Sequence, residues 1–252
     1  SDVNVSSCEV FDIYTSGHRC GICIYLGSDN IVMNNTVYSN DMGIRLYSSN
    51  NNMILGNNAS KNRMGIYLDT TCNGNLVANN TAINIEYGIN LINSSNDNII
   101  VGNNASNTGA GIHLTGSCHN NLIQNNTASF SNVAGVFIGS FSSNNKVINN
   151  TVSDGLYNGI WVTTGSYGNY IINNTVSRNI LGISLYEHSS ENLVANNTVF
   201  DNTNIGITVS NYCDGNVIAN NTAYNTNIGI ILMVSSNSNQ LLDNILFGNT
   251  QG

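Results

Sequence analysis

The sequence contains no proline and few charged side chains. Of its 252 residues only 8% are charged, whereas ordinary globular domains have about 25%. Six Lys and Arg against 14 Asp and Glu give a net charge of −8, which excludes a basic protein that follows nucleic-acid phosphates. No apolar run approaches the roughly 18 residues of a membrane-spanning helix. The hydrophobic content of 41% argues against a disordered chain.

Asparagine and glycine are abundant instead, with 52 Asn and 24 Gly residues. A Gly followed by a branched apolar residue recurs every 22–24 residues, and an Asn pair recurs in step with it. The repeat glycines are Gly21, Gly43, Gly65, Gly88, Gly111, Gly135, Gly159, Gly182, Gly206 and Gly229. Ten repeats in register indicate a repeat architecture rather than a globular domain.

Apolar residues alternate within each repeat, as in Ile66-Tyr67-Leu68, and this period of two is typical of a half-buried strand. A second short strand precedes each Asn pair and a third follows it. Strands joined by such short turns can pair only with their counterparts in the next repeat. The sequence therefore predicts an all-β, right-handed parallel β-helix (solenoid) of about ten coils. We expect one domain over residues 1–252, with a partial coil at 1–20 and ten coils at 21–252.

Asparagine at fixed registers predicts hydrogen-bonded ladders, because stacked side-chain amides can donate to one another from coil to coil. We expect three such columns, two of which follow the Asn pairs. The remaining column comprises Asn30, Asn52, Asn75, Asn98, Asn121, Asn145, Asn169, Asn192, Asn216 and Asn239. The lack of proline agrees with this picture, since nearly every backbone N–H is needed by a ladder.

The repeat N-Φ-Φ-x-N-N-T, then about seven residues, then G-I-x-L-x-x-S-x-x-N, extends from about Val3 to Asn249. It resembles the parallel β-helix repeats of NosD-like and CASH (carbohydrate-binding and sugar-hydrolysis) proteins, which also abound in surface proteins of methanogenic archaea. The resemblance implies the fold. Because that class includes hydrolases, epimerases, periplasmic accessory proteins and non-enzymatic surface modules, it leaves the function open.

The six cysteines do not indicate a metal or redox site. Cys20 and Cys23 form a C-x-x-C motif, but strand alternation predicts that their thiols face opposite sides. Cys72, Cys118 and Cys213 share a register that other coils fill with Ser, so we expect small residues packed at a corner. No His/Met/Cys cluster supports the copper that the NosD resemblance would suggest. We predict neither a metal nor another cofactor.

The outward positions of the strands after each Gly carry the candidate binding residues. Aromatic rings can pack on sugar C–H surfaces while Arg and Asp bond hydroxyl or carboxylate groups. The candidates for carbohydrate binding are Tyr25, Arg45, Tyr47, Arg63, Tyr67, Asp69, His113, Phe137 and Trp161. Asp41 with Asp69, or Asp69 with Glu86, could in principle act as acid and base. Alternatively, Arg19, Asp41, Arg63 and Glu86 form a stabilising charge ladder along successive coils.

Eleven N-x-S/T sequons are candidate glycosylation sites. Because nine of them belong to the repeated turn, the same residues also serve the fold, with Asn in a ladder and Thr in a strand. The sequon residues are Asn4, Asn34, Asn58, Asn79, Asn93, Asn104, Asn125, Asn149, Asn173, Asn196 and Asn220.

The sequence is compatible with two functions. The first is a non-catalytic extracellular or cell-surface β-solenoid that assembles end to end, because neither terminus is predicted to form a helical or charged cap. Its partners would be other copies of the chain or adjoining domains. The second is a module that binds or processes polysaccharide, as a hydrolase or lyase would. We expect no nucleic-acid partner and no membrane-spanning segment.

Overall fold

A computed structural model describes residues 3–12 and 19–251 of the chain as a stack of parallel β-strands. Every regular element in these two ranges is a strand, so that part of the chain contains no helix that could cross a membrane. The all-β solenoid predicted from the repeats is confirmed. Residues 13–18 of the predicted partial first coil lie outside the described residues, and the single domain over residues 1–252 stays a prediction.

The ten strands that contain the repeat glycines form one parallel sheet, the wide sheet. Each strand has five or six residues. In chain order the strands are β3 (Cys20–Tyr25), β6 (Met42–Tyr47), β8 (Met64–Asp69), β10 (Tyr87–Ile92), β12 (Ala110–Thr115), β14 (Ala134–Ile138), β17 (Asn158–Val162), β20 (Leu181–Tyr186), β23 (Ile205–Ser210) and β26 (Ile228–Met233). Their order in the sheet is their order in the chain, as coil stacking requires.

Eleven three-residue strands form a second parallel sheet, the narrow sheet. They are the predicted strands that precede the Asn pairs. Their bounds are β1 (Asn4–Ser6), β4 (Ile31–Met33), β7 (Met53–Leu55), β9 (Leu76–Ala78), β11 (Ile99–Val101), β13 (Leu122–Gln124), β15 (Lys146–Ile148), β18 (Tyr170–Ile172), β21 (Leu193–Ala195), β24 (Val217–Ala219) and β27 (Gln240–Leu242).

The strands that follow the Asn pairs complete the coil as a third side. Two of them pair near the start of the chain and five near its end, and single bridges such as Thr81 to Asn104 connect the two groups. These strands are β2 (Glu9–Phe11), β5 (Thr36–Tyr38), β16 (Thr151–Ser153), β19 (Thr175–Ser177), β22 (Thr198–Phe200), β25 (Thr222–Tyr224) and β28 (Ile245–Phe247).

One continuous apolar core runs along the inside of the stack. Alternation sends the first and third residues after each repeat Gly inward, so that Ile66 and Leu68, for example, are fully buried. Each inward residue packs on its counterpart one coil away, as Ile66 does on Ile89 through their parallel register. Because the same register repeats, the fold depends on contacts between neighbouring coils rather than on distant parts of the chain.

Two Asn columns run unbroken inside the coil corners, and a third is interrupted between Asn84 and Asn179. In the first column the side chain of Asn98, for example, donates to Asn121 Oδ1 at 3.0 Å. In the second, Asn126 donates in the same way to Asn150. Both columns run the length of the stack, and the amides also bond backbone carbonyls, as Asn98 does to Cys72. Each buried amide within these two columns is therefore paired in both directions along the axis.

The identity of the third column differs from the prediction. Only one Asn of each pair is buried in a ladder, as Asn35 is, whereas its neighbour Asn34 is exposed with φ of 55°. The third column lies before the wide sheet instead, where Asn40 donates to Asn62 and Asn179 to Asn202. The reason is conformational: the corner at Asn34 requires a left-handed residue, which Asn tolerates and which Gly56 supplies one coil later.

Candidate functional site

The outward side chains of the wide sheet stack in one row, because the parallel register places equivalent positions of successive coils side by side. In coil order, the residues of this row are Cys23, Arg45, Tyr67, Asn90, His113, Phe137, Trp161, Ser184, Thr208 and Ile231. Neighbouring coils are about 4.8 Å apart, close enough for these side chains to contact one another. The row contains two distinct groups of contacts.

The first group surrounds Arg45. Its Nη2 donates to Asp69 Oδ2 at 2.6 Å, and the guanidinium lies 5.1 Å from the ring centroid of Tyr47 and 5.8 Å from that of Tyr67. Tyr47 in turn stacks on Tyr25 with ring centroids 4.7 Å apart. Both partners of the ion pair are largely shielded, with side-chain exposures of 17% and 10%. Five of the predicted binding residues therefore contact one another.

The Asp69 carboxylate has further partners. Its Oδ1 accepts from Thr70 Oγ1 at 2.9 Å and from Asn93 Nδ2 at 3.2 Å. Burial, together with the negative charge of Asp69, raises the pKa of Tyr67 to about 12. An acidic group that is already bonded to an arginine and two polar side chains is suited to holding coils together rather than to exchanging protons with a ligand.

A separate charged group, outside this row, links three successive coils. Arg63 Nε donates to Asp41 at 2.5 Å and Arg63 Nη1 donates to Glu86 at 2.6 Å. Hydrogen bonding to Asp41 raises the pKa of Arg63. Arg19, the remaining member of the predicted charge ladder, lies exposed immediately before the first strand of the wide sheet. The carboxylates of the predicted pairs, Asp41, Asp69 and Glu86, each bond an arginine.

An aromatic row, defined by Tyr87, His113, Phe137 and Trp161, continues the outer face. The His113 ring lies 4.6 Å from both the Tyr87 and the Phe137 ring, measured between centroids. Trp161 meets Phe137 edge-on, at 5.2 Å and an interplanar angle of 87°. The first three rings therefore face one another along the solenoid axis and present their edges outward. Trp161 breaks the stack, since the small, buried Ser184 follows it in register.

Tyr87 is a member of this row that the sequence analysis missed. It stands directly before the repeat glycine Gly88, at a position that strict alternation assigns to the interior. The chain bulges at the glycine, and Tyr87 contacts His113 on the outer face instead. A strict period of two predicts an inward Tyr87, so the sequence pattern alone does not place this ring on the outer face.

His113 is held as a neutral ring. Its Nδ1 lies 2.9 Å from Asn90 Oδ1, and burial lowers its pKa to about 4. Because an amide oxygen can only accept, Nδ1 carries the proton and Nε2 is left as an acceptor. His113 is thus an uncharged hydrogen-bonding group within an apolar row.

A hollow of about 360 Å³ opens beside the aromatic row; we call it the Gly109 hollow. Tyr87, His113 and Phe137 line one side of it. Ile85 and Val133 form its rim with exposures of 73% and 45%. Apolar side chains so exposed at a concave surface are typical of binding sites.

Gly109 creates the hollow because it contributes no side chain between Glu86 and Val133, its counterparts in the neighbouring coils. A Cβ at this position would lie 2.5 Å from the Glu86 carbonyl oxygen. The close approach of the two backbones therefore excludes any larger residue, and the gap above Gly109 is built into the packing of the coils.

Cys20 and Cys23 are joined by a disulfide, so the prediction that their thiols face apart is wrong. Their Cα atoms are 5.8 Å apart, much closer than three residues of a regular strand would place them. Cys20 stands before Gly21 in the same register as Tyr87 before Gly88, and strict alternation fails at both positions. The motif closes a small loop at the start of the described coils.

The other cysteines are thiols: Cys8 is exposed and Cys72, Cys118 and Cys213 are buried. The buried three lie at one corner, as predicted. Cys118, for example, donates from Sγ to the Thr115 carbonyl oxygen. Burial raises the pKa of Cys118 and of Cys213 to about 11. Protonated, enclosed thiols are unsuited to nucleophilic or redox roles.

The sequon residues lie on the surface of the solenoid. Asn34, Asn79, Asn125, Asn149, Asn173, Asn196 and Asn220 share one exposed corner and left-handed backbone angles. Asn58 and Asn104 fall one position further on, in the third side, because Gly56 and Gly102 take their place at the corner. Asn4 and Asn93 lie elsewhere and are also exposed. Their modification stays a prediction.

The fold is shared with several solved structures. A periplasmic alginate epimerase, AlgG, matches with a TM-score of 0.71 and 15% identity over 88% of this chain and 70% of its own. The Dettilon tailspike protein gp208 matches with a TM-score of 0.71 and 15% identity, over 96% and 61% of the two chains. PfbA, a surface adhesin of Streptococcus pneumoniae, gives 0.58 and 14%, over 88% and 62%. At these identities the likeness shows the fold alone. No curated protein matches the sequence.

A family model described as periplasmic copper-binding protein (NosD) matches residues 2–136, 70–205 and 129–252. The side chains within the described part of the chain do not fit a copper ion. No group of three or more His, Cys, Asp or Glu side chains within residues 3–12 and 19–251 is placed to hold a metal. His113 is bonded to Asn90, and the buried thiols stand singly, each against backbone.

The three matched segments overlap and together extend from residue 2 to residue 252. Their repetition reflects the coil repeat, since any run of several coils fits the same pattern. Each repeat of the pattern corresponds to one coil, which contributes one strand to the wide sheet and one to the narrow sheet. This chain belongs to the NosD family.

Proposed function

We propose that this chain is a non-catalytic β-solenoid of the periplasm or cell exterior and that the outer face of its wide sheet binds polysaccharide. The observation that carries the proposal is the aromatic row beside the Gly109 hollow. Concave apolar surfaces with a few polar groups are the usual form of small-ligand sites. The description of the family as periplasmic supports the location, as do the periplasmic epimerase and the surface adhesin that share the fold.

The carboxylates favour a binding rather than a catalytic role. A glycoside hydrolase needs one carboxylic acid and one carboxylate that are free to exchange protons or attack the sugar. Here Arg45 bonds Asp69, while Arg63 bonds both Asp41 and Glu86. These pairs support the interpretation of the charged side chains as contacts between coils. Release of reducing sugar, or of unsaturated sugar by a lyase, from a polysaccharide incubated with the protein would contradict this part of the proposal.

Trp161 provides a direct test of polysaccharide binding because it is the only tryptophan in the sequence. Its ring lies at the end of the aromatic row, so a ligand along the wide sheet changes its environment. We expect titration with a polysaccharide to shift or quench the tryptophan emission in a saturable manner. Because Trp161→Phe lacks the fluorescent tryptophan, polysaccharide binding to this variant is measured by calorimetry. A panel of plant, algal and bacterial polysaccharides that leaves both signals unchanged would contradict the proposal.

A second function, end-to-end assembly, is favoured by the exposed apolar side chains of the last coil. Leu241 and Leu246 are 46% and 38% exposed. Their counterparts one coil earlier, Ile218 and Ala223, are fully buried. A further coil, from a second copy or an adjoining segment, would bury the leucines and pair the open strands. Electron microscopy of the purified protein tests this: filaments support assembly, and monomers at every concentration contradict assembly of this chain with itself.

A further inference from the structure

We propose that the Gly109 hollow binds an uncharged sugar unit, so that the ligand of the wide sheet is a neutral polysaccharide rather than a polyuronate. This inference rests on the proposed polysaccharide-binding function and names the class of ligand. It differs from what the alginate epimerase neighbour would suggest, and it follows from the size, charge and hydrogen-bonding groups of the hollow.

The hollow has the dimensions of a ligand site. Its volume of about 360 Å³ lies at the lower end of the range of roughly 300–1,000 Å³ that is usual for small-molecule pockets. The ring edges of Tyr87, His113 and Phe137 form its wall, and Ile85 and Val133 extend the apolar surface beyond it. Such walls offer apolar contact to the C–H faces of a sugar ring, which lose unfavourable contact with water on binding.

Positive charge is lacking along this part of the chain. Residues 64–145, which include the whole hollow from Ile85 to Phe137, contain neither Lys nor Arg. The guanidinium that precedes them, that of Arg63, already bonds Asp41 and Glu86. Glu86 itself lines the hollow. A uronate carboxylate entering here would meet Glu86 and no cation among the residues that line the hollow, which is unfavourable for binding.

The polar groups of the hollow match hydroxyl donors. His113 Nδ1 donates to Asn90, so Nε2 of the neutral ring is available as an acceptor. The Asn132 amide can also donate. Glu86 lines the hollow as a second acceptor, and its carboxylate also accepts from Arg63. A sugar unit rich in hydroxyl groups can donate to both, whereas an apolar peptide side chain would satisfy neither. The combination of apolar walls with two acceptors therefore favours a neutral saccharide over a protein segment.

Calorimetry with a soluble neutral glucan, a neutral galactomannan and a polygalacturonate tests the inference. We expect a neutral polymer to bind and the polygalacturonate not to bind, with little change in affinity between about 50 mM and about 500 mM salt. Phe137→Ala and the surface variant Ile85→Ser should each weaken binding about tenfold or more. Phe141→Ala, at an exposed Phe outside the hollow, is the matched control and should bind as the native protein does.

A gain of function sharpens the test. Val133→Arg places a cation at the exposed rim, where it need not disturb the core, and we expect it to confer binding of polygalacturonate. Native binding of polygalacturonate in preference to the neutral polymers would overturn the inference and leave the proposed function standing. If Phe137→Ala and Ile85→Ser both bind the neutral polymer as tightly as the native protein does, the Gly109 hollow is not the binding site. If only a protein partner binds, or no saccharide does, the proposed function itself fails.

Discussion

The guanidinium of Arg45 donates to the carboxylate of Asp69 at 2.6 Å, across two neighbouring coils of the wide sheet. Tyr47 and Tyr67 flank the guanidinium. The pair illustrates how this outer face is organised, since charged and aromatic side chains of successive coils bond or pack against one another, here diagonally across the register. Where the side chain is missing, at Gly109, the face opens into a hollow.

Removal of Arg45 should destabilise the protein more than removal of an exposed arginine. Arg45→Ala leaves the shielded Asp69 without its charge partner, which costs roughly 1–3 kcal/mol of unfolding free energy. Arg178, paired with Asp154 but 52% exposed, is the matched control, and Arg178→Ala should cost less than about 1 kcal/mol. Urea denaturation followed by circular dichroism measures both. Equal losses would show that the Arg45 pair is no more than a surface contact.

The Asn ladders should contribute more to stability than any exposed Asn does. Asn121→Ala removes the acceptor of Asn98 and the donor to Asn145, and each buried group left without a partner costs roughly 1–3 kcal/mol. We expect a clear fall in the midpoint of thermal unfolding. Asn204, an exposed residue of a turn, serves as the control, and Asn204→Ala should leave the midpoint almost unchanged. A similar midpoint for both variants would refute the role assigned to the ladders.

Stability should fall as the pH is lowered from about 6.5 to about 4, in part because of His113. Burial lowers the pKa of folded His113 to about 4, below the value of about 6.5 in the unfolded chain. Between these values the unfolded state binds the extra proton, so acid favours unfolding. His113→Phe should reduce this pH dependence by roughly 1–3 kcal/mol. Unfolding measured at several pH values checks it, with His188→Phe, at an exposed turn position, as control. An unchanged slope in His113→Phe would contradict a buried neutral imidazole.

The thiols should titrate in three stages. In the native protein a thiol reagent should react rapidly with one cysteine, the exposed Cys8. Unfolding in denaturant should expose the buried Cys72, Cys118 and Cys213, for a total of four free thiols. Reduction should add the two cysteines of the Cys20–Cys23 disulfide. Six thiols in the unreduced, denatured protein would show that the disulfide does not form.

The repeat made the architecture predictable, whereas local backbone geometry decided the remaining details. Alternation identified the outward row from Cys23 to Ile231, because the core constrains every coil in the same way. It failed for Tyr87, where the chain bulges at a glycine, and for Cys20, which stands in the same register before its own repeat glycine.

The Asn pairs were ambiguous because two different demands select the same residue. A left-handed corner favours Asn for its backbone, and a buried ladder favours Asn for its amide. Gly56 and Gly102 show which member of the pair serves the corner, since glycine can replace Asn there and cannot replace it in a ladder. The Gly109 hollow was beyond the sequence alone, because it arises from side chains that are missing rather than present.

The central claim, a polysaccharide-binding wide sheet, is tested most directly by hydrogen–deuterium exchange with and without a bound neutral oligosaccharide. We predict slower exchange in peptides covering the strands Tyr87–Ile92, Ala110–Thr115 and Ala134–Ile138, and unchanged exchange in the narrow-sheet strands of the same coils. Slower exchange confined to the narrow sheet, or none anywhere under saturating ligand, would contradict it.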